Sequence, residues 1–343
     1  MSVNDSPYDA VLFVSFGGPE APEEVMPFLQ RVTAGRNIPE ERLRLVGQHY
    51  FDRGGLSPIN QQCRDMIAAL EPALADHGLD LPIYWGNRNA APFLDDTIAD
   101  MTRDGVRRAL AFVTSAYSSY SGCRQYRENI ESARRLAGEG APTIDKLRVY
   151  FNHPGFIEPL VDGLRNALDG VDPGSARVLF TAHSIPTSMA NESMYVGQLE
   201  NAVELIRERI DAMPRADLVW QSRSGPPTVP WLEPDIVDVI DDLPDDVSTV
   251  IVVPVGFISD HMEVIQDLDT DAAGAAARRG FDFRRVATSG TDARFVEMIV
   301  DLVGERCRGE TPVALGGLGL VPSQCSANCC PAPRRPPARP ASS

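Results

Sequence analysis

The stretch STVIVVPVGFISDHMEVIQDLDTD, residues 248–271, joins a strongly apolar segment to a strongly acidic one. Most of residues 248–255 are β-branched, which favours a buried strand. One histidine and five acidic residues follow between Asp260 and Asp271. In open parallel sheets, ligands bind beyond the carboxyl ends of the strands. The stretch therefore predicts an α/β fold in which a charged, functional segment directly follows a buried strand.

Similar apolar segments recur along the chain and alternate with longer segments of helical periodicity. They predict strands at Asp9–Phe16, Leu81–Gly86, Ala109–Ser115, Leu147–Asn152, Arg177–Ala182, Asp217–Gln221, Thr249–Val255 and Phe283–Ala287. The helical pattern is clearest in PEEVMPFLQRV (22–32), NQQCRDMIAALEPALA (60–75), RQYRENIESARRLA (124–137), QLENAVELIRERIDAM (198–213) and ARFVEMIVDLVGERC (293–307). This alternation is typical of parallel sheets covered by helices on both faces.

The predicted strands divide into two groups of four, with a break near residue 140. We expect an N-terminal lobe over residues 7–140 and a C-terminal lobe over 141–308, each a four-stranded parallel sheet flanked by helices. The last helix, 291–307, could pack back on the first lobe. The tail, 309–343, contains three cysteines and ends in PAPRRPPARPASS, whose composition predicts disorder.

Composition and charge exclude several classes of protein. The net charge of −16 argues against nucleic acid as a partner, because phosphate binding needs a basic face. The N-terminal MSVNDSPYDA has no basic region and no long apolar segment, so no signal peptide is predicted. The apolar runs are too short for a transmembrane segment, and we expect a cytoplasmic protein. In that compartment, cysteines serve as thiols or metal ligands more often than as disulfides.

Polar and glycine residues follow strand after strand, as in SFGGPE (15–20), TAHSIP (181–186) and GFISDHME (256–263). Neither a GxGxxG loop nor a Walker loop is present, which disfavours nucleotide binding. His183 and Ser184 are adjacent and so point to opposite sides of a strand, and no GxSxG elbow occurs. These observations favour a ligand cleft without nucleotide or serine-nucleophile chemistry.

Metal chemistry fits the acidic segment better. His183 and His261 both follow apolar strands. If a helix begins near Asp260, then Glu263, Asp267 and Asp271 are spaced four apart and share one face. A row of carboxylates offers a path for a hard divalent cation. The alternative from the same pattern is a solvated acidic helix face.

Six motifs together resemble those of ferrochelatases, in the order of that family and over roughly residues 8 to 308. They are SFGGPE (15–20), GGLSPIN (54–60), TSAYSSYSGCRQY (114–126), TAHSIP (181–186), WQSRSGPPTVPWLEPD (220–235) and VPVGFISDHMEVIQDLD (253–269). The resemblance implies the chelatase fold, in which two Rossmann-like lobes enclose a porphyrin. This agrees with the strand pattern.

The resemblance also implies roles for individual residues. His183 and Glu263 match the family's active-site histidine and glutamate, both able to bind Fe²⁺, and Asp267 and Asp271 would extend a path for metal or protons. Ser57 and Tyr126 match porphyrin-contacting positions. Two positions depart from the pattern of some relatives. Phe16 replaces a tyrosine, so it implies a porphyrin contact without an axial iron ligand. Asn89 replaces a histidine, which weakens the case for an accessory metal there.

The implied activity is insertion of ferrous iron, the substrate metal, into a porphyrin during haem biosynthesis. Details of the motifs resemble the branch in Gram-positive bacteria that acts on coproporphyrin III and gives coprohaem. The alternatives are a protoporphyrin IX ferrochelatase, a cobalt or nickel chelatase, and a non-enzymatic tetrapyrrole- or metal-binding protein. The sequence leaves open how His183 and Glu263 divide metal binding and proton acceptance.

The tail suggests a second metal group. Several ferrochelatases carry a [2Fe–2S] cluster held by one internal and three C-terminal cysteines, and such clusters use four thiolates. Cys325, Cys329 and Cys330 supply a matching trio, and Cys123 is the fourth ligand that we expect. Cys63 and Cys307 remain alternatives for that position. The other interpretation is three unligated thiols in the tail.

Overall fold

The computed structural model describes residues 6–35, 38–323 and 325–333, and these form two four-stranded sheets. The first sheet has the order β2-β1-β3-β4, from β1 (Ala10–Ser15), β2 (Ile83–Asn87), β3 (Arg108–Val113) and β4 (Thr143–Lys146). The second has the order β6-β5-β7-β8, from β5 (Ala176–His183), β6 (Arg215–Gln221), β7 (Thr249–Val253) and β8 (Asp282–Arg285). Neighbouring strands are parallel, which confirms the predicted two-lobed α/β fold.

Helices lie between the strands, as the periodicity predicts. The α-helices of the described residues are α1 (Pro22–Val32), α2 (Glu40–Phe51), α3 (Ile59–Asp76), α4 (Leu94–Arg103), α5 (Gln125–Ala137), α6 (Pro154–Leu168), α7 (Thr187–Asn191), α8 (Tyr195–Arg207), α9 (Ile236–Asp241), α10 (Met262–Val264), α11 (Ala273–Arg279) and α12 (Ala293–Cys307). The shorter segments Tyr120–Arg124 and Ile265–Ala272 are π-helical, and Pro173–Ser175 is a 3₁₀ turn.

The central strands are buried on both faces. In β1, Val11 and Phe13 belong to one apolar cluster, whereas Leu12 and Val14 belong to another that contains residues of α4 and α5. This division follows from the two-residue period of a strand, which sends successive side chains to opposite faces. It explains why β1 and β7 are continuous apolar runs, since neither face of these strands meets water.

The predicted strand Leu147–Asn152 is wrong. The fourth strand is Thr143–Lys146, and the apolar residues that follow it form the connection to the second lobe. Arg148 in this connection forms a buried ion pair with Glu305 of α12, with 2.7 Å between Arg148 Nη2 and Glu305 Oε1. The Tyr150 hydroxyl donates to the Val113 carbonyl oxygen at 3.0 Å. The segment is therefore apolar because the helices cover it, not because it pairs with a strand.

The pairing of β4 with β3 bears on the position of the boundary between the lobes. Because Thr143–Lys146 pairs with β3, we propose a boundary after Lys146 rather than at residue 140. Helix α12 packs against α3 of the first lobe and against α6, and so connects the two lobes. Of the predicted disordered terminus, residues 334–343 lie outside the described residues. No helix within the described ranges is both long and apolar enough to cross a membrane.

Candidate active site

Both sheets have a topological switch point, where ligands bind in open α/β folds. Strand β5 lies between β6 and β7, so the connections that leave β5 and β7 run to opposite sides and open a crevice. His183 is the last residue of β5, and Glu263 lies in α10, which follows β7. Their side chains meet there, with 3.5 Å between His183 Nε2 and Glu263 Oε2.

Backbone contacts hold the His183 ring in one orientation. Its Nδ1 lies 2.5 Å from the Ser184 carbonyl oxygen, and the Tyr195 hydroxyl donates to the His183 carbonyl at 3.0 Å. A carbonyl oxygen only accepts, so Nδ1 carries the proton in this contact. In the neutral ring, Nε2 is therefore the nitrogen left to accept a proton or bind a metal.

Burial and the neighbouring charges shift the pKa of His183 in opposite directions. Burial lowers the pKa of His183, but contact with the Glu263 carboxylate and the charge of Asp267 outweigh it, so the net shift is upward. His261 shows the opposite balance, because burial and the neighbouring His183 lower its pKa although Glu263 raises it. The pKa values of the two histidines are therefore shifted in opposite directions.

Asp267 lies next to this pair, on the π-helical segment. Ser222 donates a hydrogen bond to Asp267 Oδ2, and Gln221 Nε2 donates to the same oxygen at 3.2 Å. Burial is the largest cause that raises the pKa of Asp267 to about 6, and the negative charge of Glu263 contributes to the same shift. Asp267 therefore changes protonation close to neutral pH, as a group that relays protons must.

Two unusual backbone positions, Ser222 and Gly256, lie beside Asp267 and His183. Ser222 has φ of +62°, a left-handed conformation that residues other than glycine rarely adopt, and its hydroxyl binds Asp267. Gly256 passes so close to β5 that a Cβ atom there would lie 2.6 Å from the Ala182 Cα. A side chain at position 256 would displace the chain directly before His183.

The predicted α-helical row of carboxylates has a different geometry. Ile265–Ala272 is a π-helix, which forms i→i+5 hydrogen bonds and is often found at functional sites. Asp267 interacts electrostatically with His183 and Glu263, whereas Asp271 is exposed and accepts a hydrogen bond from Gln266 Nε2 at 3.0 Å. The carboxylates thus run from the His183–Glu263 pair towards solvent.

Phe16 lies on the first-lobe side, directly after β1. It packs edge-on against Phe28, with 6.1 Å between ring centroids, and Phe28 shares an apolar cluster with Met262, the neighbour of Glu263. Asn89 Nδ2 donates to the Phe16 carbonyl at 3.1 Å. The Asn89 amide therefore stabilises the loop after β1.

Ser57 and Tyr126 are less accessible than the porphyrin contacts predicted for them. Ser57 is buried against Gly18, where an added Cβ would lie 2.7 Å from the Ser57 Cβ. Tyr126 is buried in the first lobe, and the Arg88 guanidinium lies 4.5 Å from its ring centroid. Within the described residues, neither side chain hydrogen-bonds to His183 or packs a ring against it, so their porphyrin contacts stay predictions.

A segment of the first lobe that the sequence did not predict as functional borders the carboxylates. Arg53 Nη1 donates to Gln266 Oε1 at 3.1 Å, and Arg53 Nη2 donates to Thr270 Oγ1 at 2.6 Å. Large apolar side chains around Arg53 are exposed, namely Leu45, Val46, Phe51 and Leu56. The sequence of α2 did indicate this exposed apolar surface, because the helix contains more apolar residues than one buried face accommodates. Exposed apolar groups beside a cleft suit a planar apolar ligand.

Away from this site, four free cysteines come together. Cys329 and Cys330 are adjacent in sequence, and their Sγ atoms lie 3.5 Å apart. Cys330 adopts a left-handed φ of +50°. Burial is the largest cause that raises the pKa of Cys330 to about 12, and the thiols of Cys329, Cys123 and Cys325 contribute to the same shift. Cys123 and Cys325 also line one small cavity.

The two alternative ligands lie elsewhere. Cys63 is buried beside Ser15, with 3.3 Å between Cys63 Sγ and Ser15 Oγ, and Cys307 ends α12. Within the described residues, no three His, Cys, Asp or Glu side chains form a group suited to a single metal ion. Cys123, Cys325, Cys329 and Cys330 are referred to below as the thiol cluster.

Comparisons with known proteins agree with this geometry. A family model described as ferrochelatase matches residues 8–307. A coproporphyrin III ferrochelatase of Streptomyces coelicolor is 52% identical, over 95% of this chain and 94% of its own. A ferrochelatase of Rhodopirellula baltica is 50% identical, over 96% of each chain. Among solved structures, SirB from Bacillus subtilis with Fe³⁺ has a TM-score of 0.54 at 12% identity, over 88% of this chain and 96% of that one, and shows the same fold.

Proposed function

The chain belongs to the ferrochelatase family, and we propose that this enzyme inserts ferrous iron into coproporphyrin III to give coprohaem for haem biosynthesis. The observation that carries the proposal is the contact between His183 and Glu263 at the switch point of the second sheet. Insertion takes up one Fe²⁺ and releases the two pyrrole N–H protons of the ring. The site therefore needs a metal-binding group and a proton acceptor in contact with each other.

His183 and Glu263 satisfy both needs. Nε2 of neutral His183 accepts a pyrrole proton, and the adjacent carboxylate stabilises the imidazolium that forms. Glu263 is 54% exposed, so it is also accessible to an incoming hydrated cation. Asp267, with its pKa of about 6, would then receive the proton and pass it towards solvent.

Coproporphyrin III is the substrate that we favour over protoporphyrin IX. Several similar proteins, including those of Streptomyces coelicolor and Streptomyces griseus, are named coproporphyrin III ferrochelatases. This porphyrin bears propionates where protoporphyrin IX bears vinyl groups, so its binding needs additional cationic partners. Arg53 and Arg88 supply cations beside the carboxylate helix and beside Phe16.

An anaerobic assay of the purified enzyme tests the proposed function. Fe²⁺ is offered with either porphyrin, and Co²⁺ and Ni²⁺ are offered with the preferred ring. We expect loss of the free-porphyrin spectrum with Fe²⁺ and coproporphyrin III. Turnover of protoporphyrin IX alone would reassign the substrate, and turnover with Co²⁺ or Ni²⁺ alone would reassign the metal. Binding without metallation would indicate a tetrapyrrole-binding protein. The predicted cytoplasmic location stays a prediction.

Asp267→Asn and Asp271→Asn test the carboxylate path. We expect each to raise the KM for Fe²⁺ by roughly three- to tenfold, because each removes one charge from the path. Asp267→Asn should also lower kcat, though by less than Glu263→Gln, because it removes a proton acceptor. Asp267 is neutral below its pKa of about 6 and ionised above it. The wild-type KM for Fe²⁺ should therefore rise as the pH falls through about 6, and Asp267→Asn should remove this dependence. If both variants keep the wild-type dependence on iron concentration, the carboxylates form only a solvated acidic face and not a path for the metal.

We further propose that Cys123, Cys325, Cys329 and Cys330 hold a [2Fe–2S] cluster. Supporting observations are their mutual electrostatic interaction and the 3.5 Å between the Cys329 and Cys330 Sγ atoms. Bound there, the group supplies one-electron redox chemistry and a covalent link between the tail and the first lobe.

Cys329→Ser tests the cluster. Enzyme purified anaerobically should contain about two iron and two inorganic sulfide per chain, and the variant should lose both. Its Tm should fall because the link between the tail and the body is lost. Cys307→Ser is the matched control and should keep the iron, the sulfide and the visible spectrum. Colourless wild-type protein without inorganic sulfide would contradict the cluster and leave the chelatase proposal intact.

A further inference from the structure

A cavity of about 530 Å³ lies on the face of the first lobe that carries α5, and no residue of the His183 site lines it. Six cationic side chains surround it, namely Arg124, Arg127, Arg134, Arg135, Lys146 and Arg306. The acidic residues that line it are Glu128, Glu131 and Asp145. This cationic cavity is unexpected in a chain of net charge −16, where scattered arginines would more simply pair with the abundant acids.

The three acids of the cationic cavity are already paired. Glu128 binds Arg124 at 2.8 Å, Glu131 binds Arg134 at 2.7 Å, and Asp145 binds Arg108 at 2.6 Å. Arg135 and Arg306 also approach Glu131 and Asp145, at 3.8 Å and 3.5 Å, so two of the six cations remain without an acidic partner.

Arg127 and Lys146 are those two cations. Arg127 is half-buried and makes no hydrogen bond or ion pair with any residue in the described ranges. Lys146 Nζ donates only to the neutral Leu147 carbonyl, at 2.9 Å. Both side chains are half-buried, so they are partly removed from water without an acidic partner, and an anion bound here would complement their charge.

Two cysteines of the thiol cluster lie beside these cations. Arg127 and Lys146 line the small cavity that also contains Cys123 and Cys325. Arg124 is a third cation near the thiol cluster, since its Nη1 donates to the Cys329 carbonyl oxygen at 3.2 Å. Four thiolates with two ferric ions and two sulfides form a dianion, which would complement the two unpaired cations.

We propose that Arg127 and Lys146 are the electrostatic partners of the [2Fe–2S] cluster and raise its reduction potential; this rests on the proposed cluster. Reduction adds one electron from an external low-potential donor and converts one ferric ion to ferrous, with no bond broken. The cluster becomes more negative, so nearby cations stabilise the reduced form more than the oxidised form. The two residues act through charge and ligate no iron.

Redox titration with dithionite of the cluster-loaded enzyme tests this role. Arg127→Gln and Lys146→Gln remove one charge each and keep most of the side-chain length. We expect each to lower the reduced-to-oxidised ratio at a fixed ambient potential by about tenfold, which is 59 mV for a one-electron couple. Iron and sulfide content, and the KM for porphyrin, should stay at wild-type values. Arg135→Gln is the matched control, since it removes the same charge from the same helix at a site that is 67% exposed.

Arg127→Lys separates charge from structure. It should keep the wild-type potential, and it should retain the cluster even if Arg127→Gln fails to assemble one. The proposal is overturned if the Gln variants keep the potential of Arg135→Gln, or if Arg127→Lys behaves like Arg127→Gln. Wild-type enzyme without iron and sulfide would instead refute the cluster itself, and this role with it.

Discussion

His183→Ala should lower kcat for iron insertion by about 10²- to 10⁴-fold, the usual contribution of a positioned acid or base. The ring is held by the Ser184 carbonyl and directs Nε2 at Glu263, so no neighbouring group can replace it in the same position. His261 is a poor substitute because burial lowers its pKa and its ring packs against Phe257. A stopped assay with Fe²⁺ and coproporphyrin III measures the loss.

The control for His183→Ala is His77→Ala, which removes an exposed histidine from the end of α3. Both variants should keep the wild-type Tm and should bind porphyrin, as followed by quenching of its fluorescence. Turnover of a well-folded His183→Ala protein within tenfold of wild type would exclude His183 from the mechanism.

Glu263→Gln should reduce kcat by a similar factor, about 10²- to 10⁴-fold. The amide keeps the shape of the carboxylate but neither binds Fe²⁺ strongly nor accepts a proton. The substitution also changes His183, because contact with Glu263 is the main cause that raises the pKa of His183 against burial. Without that contact burial dominates, and the pKa of His183 should fall.

The pH profile of kcat/KM distinguishes this effect from simple misfolding. In Glu263→Gln, His183 loses its proton at a lower pH than in the wild type. The acid limb of the residual activity should therefore move to lower pH. Gln266→Glu is a useful comparison, because it adds charge on the neighbouring π-helical segment while Glu263 stays in place. An unchanged acid limb in Glu263→Gln would mean that a group other than His183 controls it.

Parallel strands and their polar ends could be predicted because their causes are local. Continuous β-branched runs alternate with helical periods, and this combination has few packing solutions other than a helix-covered parallel sheet. The positions of His183 and Glu263 directly after such strands already placed them at the ligand-binding edge. The wrong strand at Leu147–Asn152 shows where prediction from apolar runs fails. Such a run does not reveal whether a neighbouring strand or a helix will cover it.

Contacts between distant segments required the tertiary structure. Strand order brings His183 to 3.5 Å from Glu263, and the left-handed Ser222 turns its hydroxyl onto Asp267, which makes the helix face a proton-relay candidate. The motifs suggested contacts for Ser57 and Tyr126, but packing buries both. Likewise, the three tail cysteines are close together in sequence, but only the fold brings Cys123 near them. The fold also places Arg127, which has no acidic partner among the described residues, beside Cys123 and Cys325. Local periodicity specifies elements, but the distance between two side chains far apart in sequence depends on how those elements pack.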